Sequence, residues 1–303
     1  MLKYIVEYFA NADDPHYEGH KLLEIYSAQL AAALRPAFSK ELSNPLLTAA
    51  ASDVVVSFIK NTITADTIAL KKVIKLLTDY VDLVGDLEYP AFSEKASTMV
   101  QLKILGSISI LFNYSYSHLN KNQPPTQSQK TMATSSSILF ELIQPFLEKL
   151  TKLWILVLSD WAILSTQNQS IQKIYKSSFY NFSSSSFVIE YYKEVWVDIL
   201  LTTSTLLNSS LTHSTINPSI ATSSSPPFTN EDFLLLFGLS IYLLSDSRDT
   251  SQIISILHAS SYLLSSPYIV SSPFSFVSCF VLFFPFSFSP LPSFFNLLNW
   301  ILP

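Results

Sequence analysis

Between Leu22 and Leu264 apolar residues recur at intervals of three and four, segment after segment. That periodicity restricts the chain to helices, each of which needs another helix to cover its apolar face. Leu22, Tyr26, Leu30 and Ala33 with Leu34 form one stripe, and Leu47, Ala50, Val54 and Phe58 the next. Leu70, Val73, Leu77, Val81 and Val84 form a third, and Leu102, Leu105, Ile108 and Phe112 a fourth. Leu147, Leu150, Trp154, Val157 and Trp161 mark a longer helix, and Val188, Tyr191, Val195 and Ile199 continue the series. The segments Phe233 to Leu244 and Ile253 to Leu264 are apolar nearly all round, which predicts burial on several sides.

The breakers agree with this reading. Asp14 followed by Pro15 has the order of an N-cap and a first helical residue, Pro36 and Pro45 separate helices, and Gly85 stands where a C-cap would. Helices of this length, paired across short breakers, repeat at about 40 to 47 residues, the period of HEAT and armadillo units. The expected fold is therefore all-α, a HEAT/armadillo-type α-solenoid fragment of antiparallel helix pairs. An irregular globular helical domain is the alternative, because the repeat is one of pattern and not of letters.

Composition narrows the function. The 303 residues are 49% apolar, enough for a continuous core, but only 14% are charged, which is low for a free-standing soluble protein. A formal charge of -5 with scattered carriers leaves no basic stripe, so nucleic acid is not an expected partner. The single cysteine, Cys279, excludes an internal disulfide framework and fits a reducing compartment. Glu7, Asp13 and Asp14 follow soon after Met1 without a charged-then-apolar leader, which argues against a signal peptide. The sequons at Asn113, Asn168, Asn181 and Asn208 are then expected to be accidental.

Polar stretches divide the helices. Residues 1–119 read as a first group of helix pairs, and 120–137, with Pro124 and Pro125, as a flexible loop. Residues 138–267 read as a second group, with Ser/Thr-rich loops at 167–186 and 209–229. The first of these loops alternates Tyr and Phe with serines and is expected to pack locally on the stack. From Thr250 onward there is no Asp, Glu, Lys or Arg, and 268–303 is a low-complexity apolar tail of mostly Phe, Ser, Pro and Leu. Pro273, Pro285, Pro290 and Pro292 oppose a continuous membrane helix. Those four residue types are also the ones that pyrimidine-only codons encode, so the tail reads as a gene-model artefact, a translated intronic tract. A membrane-inserting tail and a buried terminal segment are the other two readings.

No catalytic, cofactor-binding or metal site is expected. His16 and His20 lie four apart around Glu18, but the spacing is not that of a His-Glu-x-x-His helix and no third ligand is evident. Asp13 and Asp14 as an acid/base pair compete with a simpler role before Pro15, helix capping. Four glycines cannot build a P-loop or a dinucleotide fingerprint, and no Gly-x-Ser-x-Gly elbow occurs. Trp154, Trp161 and Trp196 sit on apolar stripes and read as core. The chain reads as a non-enzyme with no cofactor and no small-molecule substrate.

The letters carry one further signal. The segment from Asn44 through Pro45, Leu46, Leu47, Thr48, Ala49, Ala50, Ala51 and Ser52 to Asp53 resembles a stretch of the HEAT repeat-containing protein five family, whose fungal member is the accessory protein of a clathrin adaptor. So do Glu94 to Met99, and Glu141 to Phe146 leading into Leu153 and Trp154, with weaker echoes through Tyr191 to Leu207 and Phe237 to Asp249. The resemblance runs in order from about Tyr4 to Ser265 and stops where the tail begins. It implies an internal piece of a large solenoid. As function it implies a cytosolic scaffold, peripheral on trans-Golgi, endosomal and endocytic-vesicle membranes, with the clathrin adaptor complex and its accessory proteins as partners. Adaptor localisation, endocytosis and retrograde endosome-to-Golgi transport are the processes implied. The alternative is an integral membrane protein anchored by the tail. The matching blocks are helix-pair signatures, and no functional residue is carried over from them.

Overall fold

The computed structural model describes residues 1–10, 12–17, 21–39, 44–61, 67–81, 84, 92–119, 136–165, 176–181, 185–216, 228–247 and 249–266. Gly85 and the 268–303 tail, with the readings attached to them, lie outside the described residues. The helices are α1 (Leu2–Phe9), the short turn α2 (Leu22–Ile25), α3 (Ser27–Leu34), α4 (Pro45–Asn61), α5 (Thr67–Val81) and α6 (Glu94–Leu119). They continue as α7 (136–143), α8 (Leu147–Ser165), α9 (Ser185–Ile216), α10 (Asn230–Asp246) and α11 (Thr250–Leu264). No strand occurs among the described residues; a lone bridge joins Asp13 to Lys21.

Local chemistry sets the helix ends. Asn44 precedes Pro45 and accepts the Leu46 N–H on its Oδ1 at 3.0 Å, a cap in front of a first-turn proline. Thr229 and Asp232 form a reciprocal capping box at the start of α10. Asp249 accepts the Ser251 N–H at 2.9 Å at the start of α11. Pro36 and Pro145 fall in 3-10 turns, Arg35–Phe38 and Gln144–Phe146, where α3 ends and α8 begins.

The packing is that of a solenoid. α4, α6, α9 and α11 lie side by side in one row, each on the next, and α1 packs on α4. The helices between them form a second row: α5 contacts α3, α4 and α6, α8 contacts α6 and α9, and α10 contacts α8 and α11. Helices close in the chain thus alternate between two rows and pack on one another, the pattern of stacked helix pairs. The chain is an all-α HEAT-type solenoid, with one contiguous core running from Val6 to Leu263.

The join between α6 and α9 is close. Gly106 lies within α6, where a Cβ would stand 2.7 Å from Cγ1 and 2.9 Å from Cβ of Val195 on α9. Only glycine allows this separation of the two helices. Beside it the fully buried Trp154 of α8 donates from Nε1 to the Leu105 carbonyl at 3.1 Å and packs on Phe112. Trp161 of α8 stacks on Trp196 of α9 with ring centroids 5.8 Å apart.

The expected stripes are buried in the middle of the stack and fail at its edges. Leu70, Val73, Leu77, Val81 and Val84 are all buried, as are Leu102, Leu105, Ile108 and Phe112. In the first stripe Tyr26 and Ala33 are exposed, and backbone φ -90°, ψ 6° at Tyr26 divides one expected helix into α2 and α3. In α4 Val54 and Phe58 are buried as expected, but the first turns bury Thr48, Ala51 and Ser52 while Leu47 and Ala50 face out. Thr48 causes the rotation, since its hydroxyl donates to the Ala37 carbonyl at 2.7 Å and turns that face inward. α11 buries only Ile256, Ala259 and Leu263, with Ile254 and Leu257 exposed, because α9 and α10 cover one side of it. α9 continues to Ile216, past Ser209, where the sequence places the start of a loop.

Two substitutions probe the join. Trp154→Ala removes a fully buried indole and its hydrogen bond, and is expected to lower stability by about 3 to 5 kcal/mol; an unchanged denaturation midpoint would refute its place in the core. In Gly106→Ala the helix-propensity gain of about 1 kcal/mol opposes an overpacking cost of about 1 to 3 kcal/mol, so a net loss is expected. Val195→Ala in the same molecule removes the Cγ1 contact but keeps the Cβ at 2.9 Å, so it should recover part of that loss in a double-mutant cycle.

Candidate functional site

The residues singled out for chemistry are not brought together as a reaction centre. Asp14 Oδ1 accepts the N–H of His16 at 2.6 Å and of Tyr17 at 3.1 Å. This is cap-like geometry, but residues 15–17 form a bend and not the expected first turn of a helix. Asp13 instead pairs with Lys21 at 2.7 Å, closing the base of the same loop, where the Leu22 N–H also donates to the Ala12 carbonyl at 2.9 Å. The two carboxylates have separate structural partners. Glu18 and His20 lie outside the described residues, and among the described residues no three His, Cys, Asp or Glu side chains gather around a common point. Trp154, Trp161 and Trp196 are all in the core.

A polar cluster that the sequence did not announce holds the middle of the stack. Asp160 sits on the buried side of α8, only 1% exposed, and its Oδ2 accepts from Ser177 Oγ and from the Tyr192 hydroxyl, both at 2.6 Å. Ser177 Oγ in turn accepts the N–H groups of Phe179 and Tyr180. Thr98 of α6 donates to the Phe179 carbonyl at 2.6 Å, and Glu94 receives Asn181 through two bonds of 2.6 Å. The segment 176–181 is thereby strapped to α6 and α8, and Tyr180 meets Tyr192 of α9 edge to face at 6.0 Å, with Phe179 and Tyr180 buried. Burial, reinforced by the Asp160 charge, pushes the Tyr192 and Tyr180 hydroxyls above the usual phenol range, so both stay protonated donors. With Asp160 and Tyr192 closed to solvent, the cluster is a clasp between helices. A carboxylate inside the apolar run from Leu150 to Leu164 was the available signal.

Two charged groups join the rows. Lys103 of α6 lies 3.2 Å from Asp53 of α4 and 3.1 Å from Glu194 of α9, tying three successive helices. Burial opposes its charge, but Asp53 and Glu194 outweigh burial and its pKa is raised. Asp198 of α9 is the opposite case. Burial, only partly offset by Lys60, pushes its carboxyl up from 3.8 to about 6. Asn113 holds its backbone, donating to the Asp198 carbonyl at 3.1 Å.

The outer surface is where exposed apolar residues collect. α1 presents Tyr4 and Tyr8, α4 presents Leu46 and Leu47, and α11 presents Ile254 and Leu257. α1 and α11 are the two outermost helices of the row, so apolar surface is concentrated at its ends. No helix among the described residues is long and apolar enough to cross a membrane.

Comparison with known proteins gives a consistent result. Residues 1–163 match the model of the Laa1/Sip1/HEATR5 HEAT repeat region. Protein SWEETIE of Arabidopsis thaliana is 27% identical over 168 residues, 54% of this chain and 7% of the relative. AP-1 accessory protein LAA1 of Saccharomyces cerevisiae is 23% identical over 213 residues, 66% of this chain and 10% of the relative. The chain thus spans a tenth or less of the length of these two relatives. No solved structure matches.

Asp198 generates a pH prediction. Its folded pKa lies above the unfolded one, so between pH 3.8 and about 6 the folded state holds a proton that the unfolded state has released. Stability contributed by this group is present below pH 3.8, falls as pH rises to about 6, and stays low above that. Asp198→Asn should remove that decline and raise stability at neutral pH by about 1 to 3 kcal/mol. Denaturant midpoints measured across this pH range for both proteins check it, and parallel curves would show that the carboxyl is not desolvated.

Proposed function

Because the chain belongs to the Laa1/Sip1/HEATR5 HEAT-repeat family, we propose that it works without catalysis, as a segment of a scaffold in clathrin-adaptor-dependent traffic between endosomes and the trans-Golgi network. The observation that carries this reading is the two-row stack itself, matched in sequence to a protein named as an AP-1 accessory factor. Stacked helix pairs expose long edges and few enclosed cavities, so they hold partners through extended surface patches whose weak contacts add up. The polar groups around Asp160, buried in the stack, and around Lys103, nearer its surface, tie its helices to one another and hold its shape. In this reading the partners are the adaptor complex and its accessory proteins, association with the membrane is peripheral, and neighbouring repeats of a longer solenoid stack on the apolar outer faces of α1 and α11.

The test is made in cells and with purified parts. Depleting the parent protein is expected to move the clathrin adaptor from trans-Golgi and endosomal puncta into the cytosol and to slow the return of retrograde cargo. Adaptor capture in pull-downs should weaken stepwise as helix pairs are removed. Adaptor puncta that persist after complete depletion would overturn the proposal.

A further inference from the structure

On one face of the second row, cations outnumber carboxylates among the described residues lining a groove. Lys72, Lys75, Leu76 and Asp79 follow one another along one side of α5, and opposite them the 3-10 turn contributes Arg35 and Phe38, with Ser39 just beyond it. Between the two lies an open groove of about 450 Å3, within the range of ligand-sized clefts. Its floor is apolar: Phe38 meets Tyr80 edge to face at 6.3 Å, and Leu76 lies alongside. Its rim carries three cations against a single carboxylate in a chain whose net charge is -5. Elsewhere Lys21, Lys103, Lys152 and Lys193 are held by carboxylates at 2.7 to 3.2 Å. Among the described residues, Arg35, Lys72 and Lys75 form no ion pair within 4.0 Å.

We propose that this groove docks a short acidic peptide segment carrying one bulky apolar side chain. The proposal deepens the scaffold reading and rests on it, by giving one patch a ligand class. The apolar side chain fills the floor formed by Phe38, Leu76 and Tyr80, while flanking carboxylates meet Arg35, Lys72 and Lys75. Arg35 offers a planar fork suited to a carboxylate, and the two lysines supply point charges one helical turn apart. Asp79, at the end of the α5 face, accepts a peptide N–H. A bare phosphate is the poorer fit, because the cations are spread over two elements around a mostly apolar floor that a leucine side chain fills and a phosphate does not.

Fluorescence anisotropy with the full chain tests this. The probe is a labelled synthetic decapeptide of aspartate and glutamate around one central leucine. It is compared with the same peptide carrying serine for leucine, and with an asparagine and glutamine version. The acidic leucine peptide is expected to bind in a salt-sensitive way, and each replacement to weaken it about tenfold or more. Lys72→Glu with Lys75→Glu should abolish binding, Lys72→Arg with Lys75→Arg should retain it, and Lys71→Glu, an equal charge change outside the groove, should leave it nearly intact. Matching thermal unfolding midpoints show that the variants remain folded. Equal losses from Lys71→Glu and the groove variants, indifference to the leucine, or competition by inorganic phosphate alone would overturn the proposal. Adaptor capture by a chain that binds no peptide would sink the groove and leave the scaffold reading standing.

Discussion

The distance between α6 and α9 governs the rest of the structure. A two-row stack holds only if helices in the same row pack directly, and here a close approach runs through Gly106, where a side chain would collide with Val195. A glycine within a helix costs about 1 kcal/mol relative to alanine, and it persists where the packing it allows is worth more. The gain is visible around it. Trp154 reaches across from α8 to the Leu105 carbonyl, and Trp161 stacks on Trp196, so three helices meet at one layer of the core.

The buried polar groups follow from that close approach. Where helices pack tightly without water, each polar side chain needs a partner inside, and Asp160 finds two hydroxyl donors. Leaving such a carboxylate unpaired would cost several kcal/mol, so Tyr192 and Ser177 are as much part of the core as the tryptophans. Lys103 extends the principle outward, with one ammonium matched by carboxylates from the helices on either side. Asp198 shows the opposite balance, a carboxyl whose desolvation exceeds what Lys60 returns.

The helical class and its stacking were legible because an apolar stripe at helical spacing has only another helix to face. The stripes were most accurate where burial is complete, as at Leu102, Leu105 and Ile108. They erred at α4, where the single hydroxyl of Thr48 decides which way the first turn faces, and at Tyr26, where backbone geometry divides a helix with no proline or glycine to announce it. The strap through 176–181 was partly legible as aromatic residues among serines. Its anchor was not, because the bonds between Thr98 and Phe179 and between Glu94 and Asn181 join residues more than eighty positions apart. The groove at Arg35 and Lys75 was illegible for the same reason: no linear pattern unites a turn and a helix that folding sets face to face.

The strap also changes how the stack would behave under load. A ladder of helix pairs pulled from its ends peels one rung at a time, since each rung holds only its neighbours. Residues 176–181 cross that ladder and bond to α6 and α8 while Tyr180 packs on Tyr192 of α9, so those three rungs resist parting singly. Tension would strip the outer helices first and then meet a block that yields all at once, giving an otherwise extensible spring a stiff middle.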